Sequence, residues 1–208
     1  MPSWRLVDAD VLAAENKYTF YKPPREVIAQ VVPGDAVKLI FEFDSDDPEA
    51  PGAERMWVLV DEVMEQGCFK GRLNNEPAYI QNLKLDDPVE FQACHIINTE
   101  HDDEDNLVER YTRRCFVTQR VLQEGMKVEY LYREEPDEDR DSGWRFTSNT
   151  EPDEYMDDAA NIAYVSLGAV LNYDDSFIDL LDEPVGSAFV RDAETETFVP
   201  AQDFTEDL

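Results

Sequence analysis

Only two histidines, His95 and His101, occur among 208 residues, and that scarcity removes most histidine-based chemistry. His95 stands in an apolar stretch and reads as a satisfied structural side chain. His101 stands in an acidic run, so a histidine-centred triad or metal site has to be assembled around one of the two. Cysteine is equally sparse. Cys68, Cys94 and Cys115 are an odd set with no Cys-x-x-Cys pair and no neighbouring metal-ligand histidine, so they read as small buried hydrophobes. Gly-x-Ser-x-Gly, the phosphate loop, His-Glu-x-x-His and Gly-x-Gly-x-x-Gly are all missing, which takes away the cleanest enzyme signatures. No apolar run approaches the ~18 residues that a membrane span needs, and the opening ten residues lack a basic segment followed by an apolar core. The expected location is the cytoplasm.

Positive charge is the other shortage. Eighteen basic against 48 acidic side chains leave a formal charge of -30, which argues against nucleic acid or an anionic membrane as partner, since both need basic patches. The acidity runs through both halves, so much of it serves as a solubilising coat, and specificity is sought in the densest clusters. What the chain does have is apolar material: 42% hydrophobic residues with 11% aromatic is enough for one large core or two small ones.

The pattern predicts an α+β protein of two small domains, each a bent antiparallel sheet with one or two short helices. In the first half a helix is expected over 8–21, capped by Asp8 or Asp10 and stopped by Pro23-Pro24. Strands are expected over 37–43, 56–63, 68–73 and 88–97, punctuated by Pro-Gly-Asp at 33–35, Gly67 and Asn74-Asn-Glu-Pro77. The polar run of residues 101–107 reads as an acidic linker between domains at 1–100 and 108–204. Beyond it, strands are expected over 114–121, 127–134, 144–148, 162–165 and 187–191. A helix over 176–181 follows Asp174 or Asp175 as cap and ends before Pro184.

The densest cluster is Tyr132-Arg-Glu-Glu-Pro-Asp-Glu-Asp-Arg-Asp-Ser-Gly-Trp144, with six carboxylates between two aromatic-rich strands. Like charges so crowded repel unless cations, internal arginines or a basic surface offset them. Asp137-x-Asp139-x-Asp141 looks like the start of a calcium loop, but Ser142 stands where that loop needs glycine and Ser148 where it needs a bidentate glutamate. The plain alternative is a solvated hairpin loop paired internally with Arg133, Arg140 and Arg145. Tyr132, Trp144 and Tyr155 beside the acids suit either a recognition surface or the core. A catalytic carboxylate pair could be drawn from Glu134, Glu135, Asp157, Asp158 and Asp174, although so acidic a chain offers such spacings by chance.

Longer motifs resemble known families. Tyr130-Leu-Tyr-Arg-Glu-Glu-Pro-Asp137, Asp141-Ser-Gly-Trp-Arg-Phe146, Glu154-Tyr-Met-Asp-Asp158, Asn161-Ile162, Asn172-Tyr-Asp174, Leu180-Leu-Asp182 and Pro184-Val-Gly-Ser-Ala-Phe189 closely resemble the bacterial Imm33 immunity-protein family (DUF2185). Met56-Trp-Val58, Gly71-Arg-Leu-Asn-Asn-Glu-Pro77 and Leu85-Asp-Asp-Pro-Val-Glu-Phe91 resemble a second bacterial domain, DUF2314. That pattern often has Gly where Asp86 stands here, which implies a different turn chemistry. The Imm33 resemblance implies a small cytoplasmic protein that binds and blocks a toxin, and an acidic inhibitor suits a basic toxin domain through complementary potential.

The leading expectation is a non-enzymatic immunity-type protein with a protein partner and no cofactor or metal. Glu134, Glu135, Asp137, Glu138, Asp139 and Asp141 are its expected electrostatic contacts, and Tyr132 and Trp144 its anchors. The alternatives are a metal- or small-molecule-dependent enzyme using carboxylates such as Asp157, Asp158 and Asp174, and a housekeeping protein whose charge serves solubility. The sequence leaves the oligomeric state open.

Overall fold

Runs rich in β-branched and aromatic residues set the first sheet. In the computed structural model, which describes residues 4–45, 49–101 and 106–201, these become β1 (Trp4–Leu6), β2 (Ala36–Phe43), β3 (Ala53–Val63), β4 (Cys68–Leu73), β5 (Pro88–Gln92) and β6 (Ile96–Thr99). Their order is β1-β2-β3-β4-β5, all antiparallel, and β2 shares its outer edge between β1 at Phe41–Phe43 and β6 at Val37–Leu39. Alternate residues of β2 and β3, Val37, Leu39 and Phe41 with Met56, Val58 and Val60, point to one side and form the core with Phe69, Leu73, Val89 and Phe91. On the other side a smaller cluster joins Ile40 and Ile97 to Ala9.

Ala9 opens α1 (Ala9–Glu15), where Asp8 accepts from the Asp10 N–H at 2.9 Å as the expected cap. The helix ends well before the expected Tyr21, because the Asn16 side chain donates back to the Leu12 carbonyl at 3.1 Å and closes the turn. A second short helix, α2 (Arg25–Ile28), follows Pro24. The strand expected over 88–97 is interrupted by a 3-10 turn at Ala93–His95, where the His95 ring accepts from the Gln92 N–H at 3.1 Å. Burial holds the His95 pKa below its ordinary value. Cys115 is buried as expected, whereas Cys68 and Cys94 are half-exposed, and all three are free thiols.

The described residues of 1–16 and 20–106 form one compact unit, and those of 17–19 and 107–208 form another. The stretch expected as a linker falls largely at 102–105, outside the described residues. The second unit contains β7 (Arg114–Thr118), β8 (Tyr130–Arg133), β9 (Asp141–Thr147), β10 (Ile162–Ser166), β11 (Ala188–Arg191) and β12 (Phe198–Pro200). The strand order is β10-β7-β9-β8-β11-β12. One pairing departs from the antiparallel expectation: β7 and β9 run parallel. The chain leaves β7 through α4 (Gln119–Leu122) and lays β8 on the far edge of β9, so β9 returns in the direction of β7.

Trp144, Phe146 and Phe177 fill the core of this unit with Leu131, Val170 and Leu171. The helices α3 (Leu107–Arg110), α5 (Asp153–Met156) and α6 (Leu167–Leu171) are each about one turn long. The helix expected over 176–181 shrinks to a 3-10 turn at Ile178–Leu180. Asp174 does accept from the Ser176 N–H at 3.1 Å, but its other oxygen is held by Arg191 and Phe177 is turned into the core. Tyr18, 3% exposed, belongs here: its N–H donates to Asn172 and its hydroxyl to Asp175 at 2.9 and 2.8 Å. A Cβ at Gly168 would lie 2.3 Å from the Tyr18 carbonyl oxygen, so only glycine admits that segment.

Among the described residues, no helix is long and apolar enough to cross a membrane.

Candidate functional site

The acidic segment, residues 134–140, joins β8 to β9, and alternation along β9 decides which of its neighbours turn inward. Asp141, Gly143 and Arg145 fall on one side of the strand and Ser142, Trp144 and Phe146 on the other. Asp141 is 0% exposed and Arg145 only 7%. The two meet as a bidentate pair, with guanidinium nitrogens 3.0 and 2.9 Å from the two carboxylate oxygens. The Asp141 carboxylate also accepts the Gly143 and Asp137 N–H groups at 2.9 and 3.1 Å. Burial alone pushes the Asp141 pKa up; the Arg145 guanidinium and these two N–H groups outweigh it and bring the carboxyl down to about 2.

Arg145 gathers more of the loop. Its Nε donates to Glu134 at 3.0 Å, and Asp137 lies 3.6 Å from the guanidinium. The same guanidinium sits 4.7 Å from the Phe116 ring, which stacks on Tyr164 with centroids 4.7 Å apart. Tyr164 in turn donates its hydroxyl to Glu138 at 2.8 Å, and partial burial together with that carboxylate pushes the phenol up to about 12. Gly143 closes the neck: its φ of +82° is left-handed, its carbonyl accepts the Glu134 N–H at 2.9 Å, and a Cβ would come within 2.2 Å of the Glu134 carbonyl oxygen.

Two of the expected contact residues are therefore corrected. Asp141 is buried as the counter-ion of Arg145, and Trp144, also 0% exposed, is a core residue whose indole N–H donates to the Leu181 carbonyl at 3.2 Å. Neither side chain reaches the surface. Glu134 and Asp137 are exposed but paired with Arg145, and Glu138 is exposed but bound by Tyr164. Glu135 and Asp139 are exposed. Tyr132 is half-buried beside Tyr130, with ring centroids 5.5 Å apart. Of the three arginines expected to pair with the loop, only Arg145 forms ion pairs there. Arg133 donates to the Ser142 and Glu183 carbonyls instead. Sequence reading named Arg145 as one of three candidates; the i, i+2, i+4 spacing of Asp141, Gly143 and Arg145 is the signal that singles it out.

Two carboxylates of the enzymatic alternative have local partners. Asp158 caps a 3-10 turn through the Ala160 N–H at 2.9 Å, and Asp174 binds Arg191, Ser176 and the Val128 N–H. Asp157 is exposed. In the first unit His101 is 2.9 Å from Asp35, whose carboxyl is held below its usual range by the Val32 N–H and, secondarily, by that ring. Among the described residues, no group of three or more His, Cys, Asp or Glu side chains is placed to hold a metal ion.

Nothing among curated proteins or solved structures matches the chain. Two families do. Residues 115–202 match the Immunity protein Imm33 domain, and residues 9–131 match an uncharacterized protein family conserved in bacteria, DUF2314, so that the two matches share most of β7, all of α4 and the start of β8. Because the second match spans more than half of its length, the chain belongs to the DUF2314 family, and it carries an Imm33 immunity-protein domain in its second half.

Proposed function

We propose that the protein is a non-catalytic, cytoplasmic immunity protein that neutralises a basic toxin domain through the exposed acids of the β8–β9 loop. The supporting observation is that Arg145 gathers Glu134, Asp137 and Asp141 from inside, which holds the loop in shape while Glu135, Glu138 and Asp139 remain exposed. A loop ordered before binding loses less conformational freedom on association, and its outward charge steers a cationic partner. The Imm33 match supports this reading.

The experiment is affinity capture from bacterial lysate at low and high salt, followed by a growth assay in which the captured protein is produced with and without its captor. The expected partner is basic, is released by salt, and is toxic only when unaccompanied. Glu135→Lys with Asp139→Lys should slow its association by about tenfold and flatten the salt dependence. Binding kinetics unchanged by the double variant would refute the loop as the contact.

A further inference from the structure

We propose that a cleft in the second unit binds an organic anion, a carboxylate or phosphate carried on an aromatic or aliphatic body. The cleft measures about 580 Å³, and Arg110, Arg113 and Arg133 line it, with Asp182 the one acid among the described residues of the lining. A volume of this size is typical of small-molecule sites. Among the described lining residues, three arginines against one aspartate is a local reversal of sign in a chain of formal charge -30.

These guanidiniums differ from Arg145 and Arg191 in what they hold. Arg145 and Arg191 are neutralised by buried or nearly buried carboxylates. By contrast, Arg133 is fixed by two neutral acceptors, donating Nε to the Ser142 carbonyl at 3.1 Å and Nη1 to the Glu183 carbonyl. Arg113 likewise donates Nη2 to the Asp141 carbonyl. Carbonyls orient a guanidinium without cancelling its charge, so both side chains are positioned while their remaining N–H groups stay available. Arg110, exposed at the end of α3, makes no hydrogen bond or ion pair to a described residue.

The rest of the lining defines the body of the ligand. Leu167, Ile178 and Leu181 give an apolar wall, Tyr111 an aromatic one, and the buried Trp144 lies beneath Arg133, whose guanidinium is 5.7 Å from the indole centroid. A bare inorganic anion would meet the arginines and leave that wall unfilled. An anion with a hydrophobic body meets both, as ligand sites with few polar anchors do. The cleft owes nothing to the loop acids, so this inference stands apart from the toxin-neutralising reading.

Calorimetric titration of the full chain with phenyl phosphate, benzoate and inorganic phosphate tests it. Saturable one-to-one binding of phenyl phosphate or benzoate is expected, tighter than inorganic phosphate by about tenfold or more, and the preferred aryl probe tells phosphate from carboxylate. Arg110→Glu, at an exposed position with no partner among the described residues, should weaken the aryl probe by at least about tenfold without changing the thermal melt. Arg72→Glu on β4 makes the same change of charge in the first unit and should leave affinity within about twofold, a control for the overall field. The absence of saturable binding by all three probes would overturn the proposal. So would equal affinity in wild type and Arg110→Glu, or equal loss in Arg110→Glu and Arg72→Glu.

Discussion

Asp141 clasps Arg145 through both carboxylate oxygens, and the pair lies inside the hairpin that carries the unit's densest run of acids. One guanidinium thereby serves two purposes. It neutralises a buried aspartate, and it draws Glu134 and Asp137 toward the strand. Removing the cation leaves an uncompensated charge inside the fold. Arg145→Met should destabilise the protein by roughly 3–5 kcal/mol, whereas Asp141→Asn with Arg145→Met, which removes both charges, should recover much of that loss. Urea denaturation of the two variants and the wild type checks it; equal loss in the single and double variants would show that the pair is not coupled.

Acid should uncover the same interaction. The Asp141 carboxyl falls from an ordinary 3.8 to about 2 in the folded protein, so its contribution is complete above about pH 4 and is lost as pH falls toward 2. Its size is about 2 kcal/mol by linkage. Protonating the many surface acids relieves repulsion over neighbouring pH values, so the comparison is made by difference. The stability gap between wild type and Asp141→Asn should be constant from pH 7 to 5 and narrow between 4 and 2, as followed by thermal melts; a gap that widened there would reverse the assigned sign.

Asp86 supplies a test in the first unit. Its φ of +69° is left-handed, a conformation glycine adopts without strain and aspartate tolerates at a cost. Asp86→Gly should stabilise the chain by up to about 1 kcal/mol, even though it gives up an exposed contact with Arg72 at 3.6 Å. A lower melting temperature would mean that the contact outweighs the backbone strain.

Gly143 should behave in the opposite way. Its left-handed backbone and the approach of the Glu134 carbonyl leave no room for a side chain. Gly143→Ala should cost roughly 2 kcal/mol or more and should shift the loop amides in a proton–nitrogen NMR spectrum, since the neck must open.

Much of the first sheet was legible because its strands alternate. Cys68–Leu73 was read with its observed bounds, and β2 and β3 were read in place, since period-two patterns flanked by Gly and Pro are local signals. The break at Ala93–His95 was not legible, because a single 3-10 turn inside an apolar run leaves the composition unchanged. The parallel pairing of β7 with β9 was hidden for a different reason: strand order depends on where β8 docks, and no local residue specifies that. At the site, six acids of the same type could not be told apart by composition. Only the position of Asp141 on the same strand face as Arg145 marks it as the inward member, and strand alternation likewise commits Trp144 to the core.

Tyr18 has a consequence for how such chains are assembled over evolutionary time. The aromatic ring that completes the second unit is encoded almost ninety codons upstream of that unit's main segment, among residues that otherwise build the first. A gene fusion that transplanted only the stretch from Leu107 onward would inherit a cavity where that ring sits and an unsatisfied Asn172. The two halves are thus stitched together by heredity as well as by peptide bond, and lineages that separate them must first find another plug for the hole.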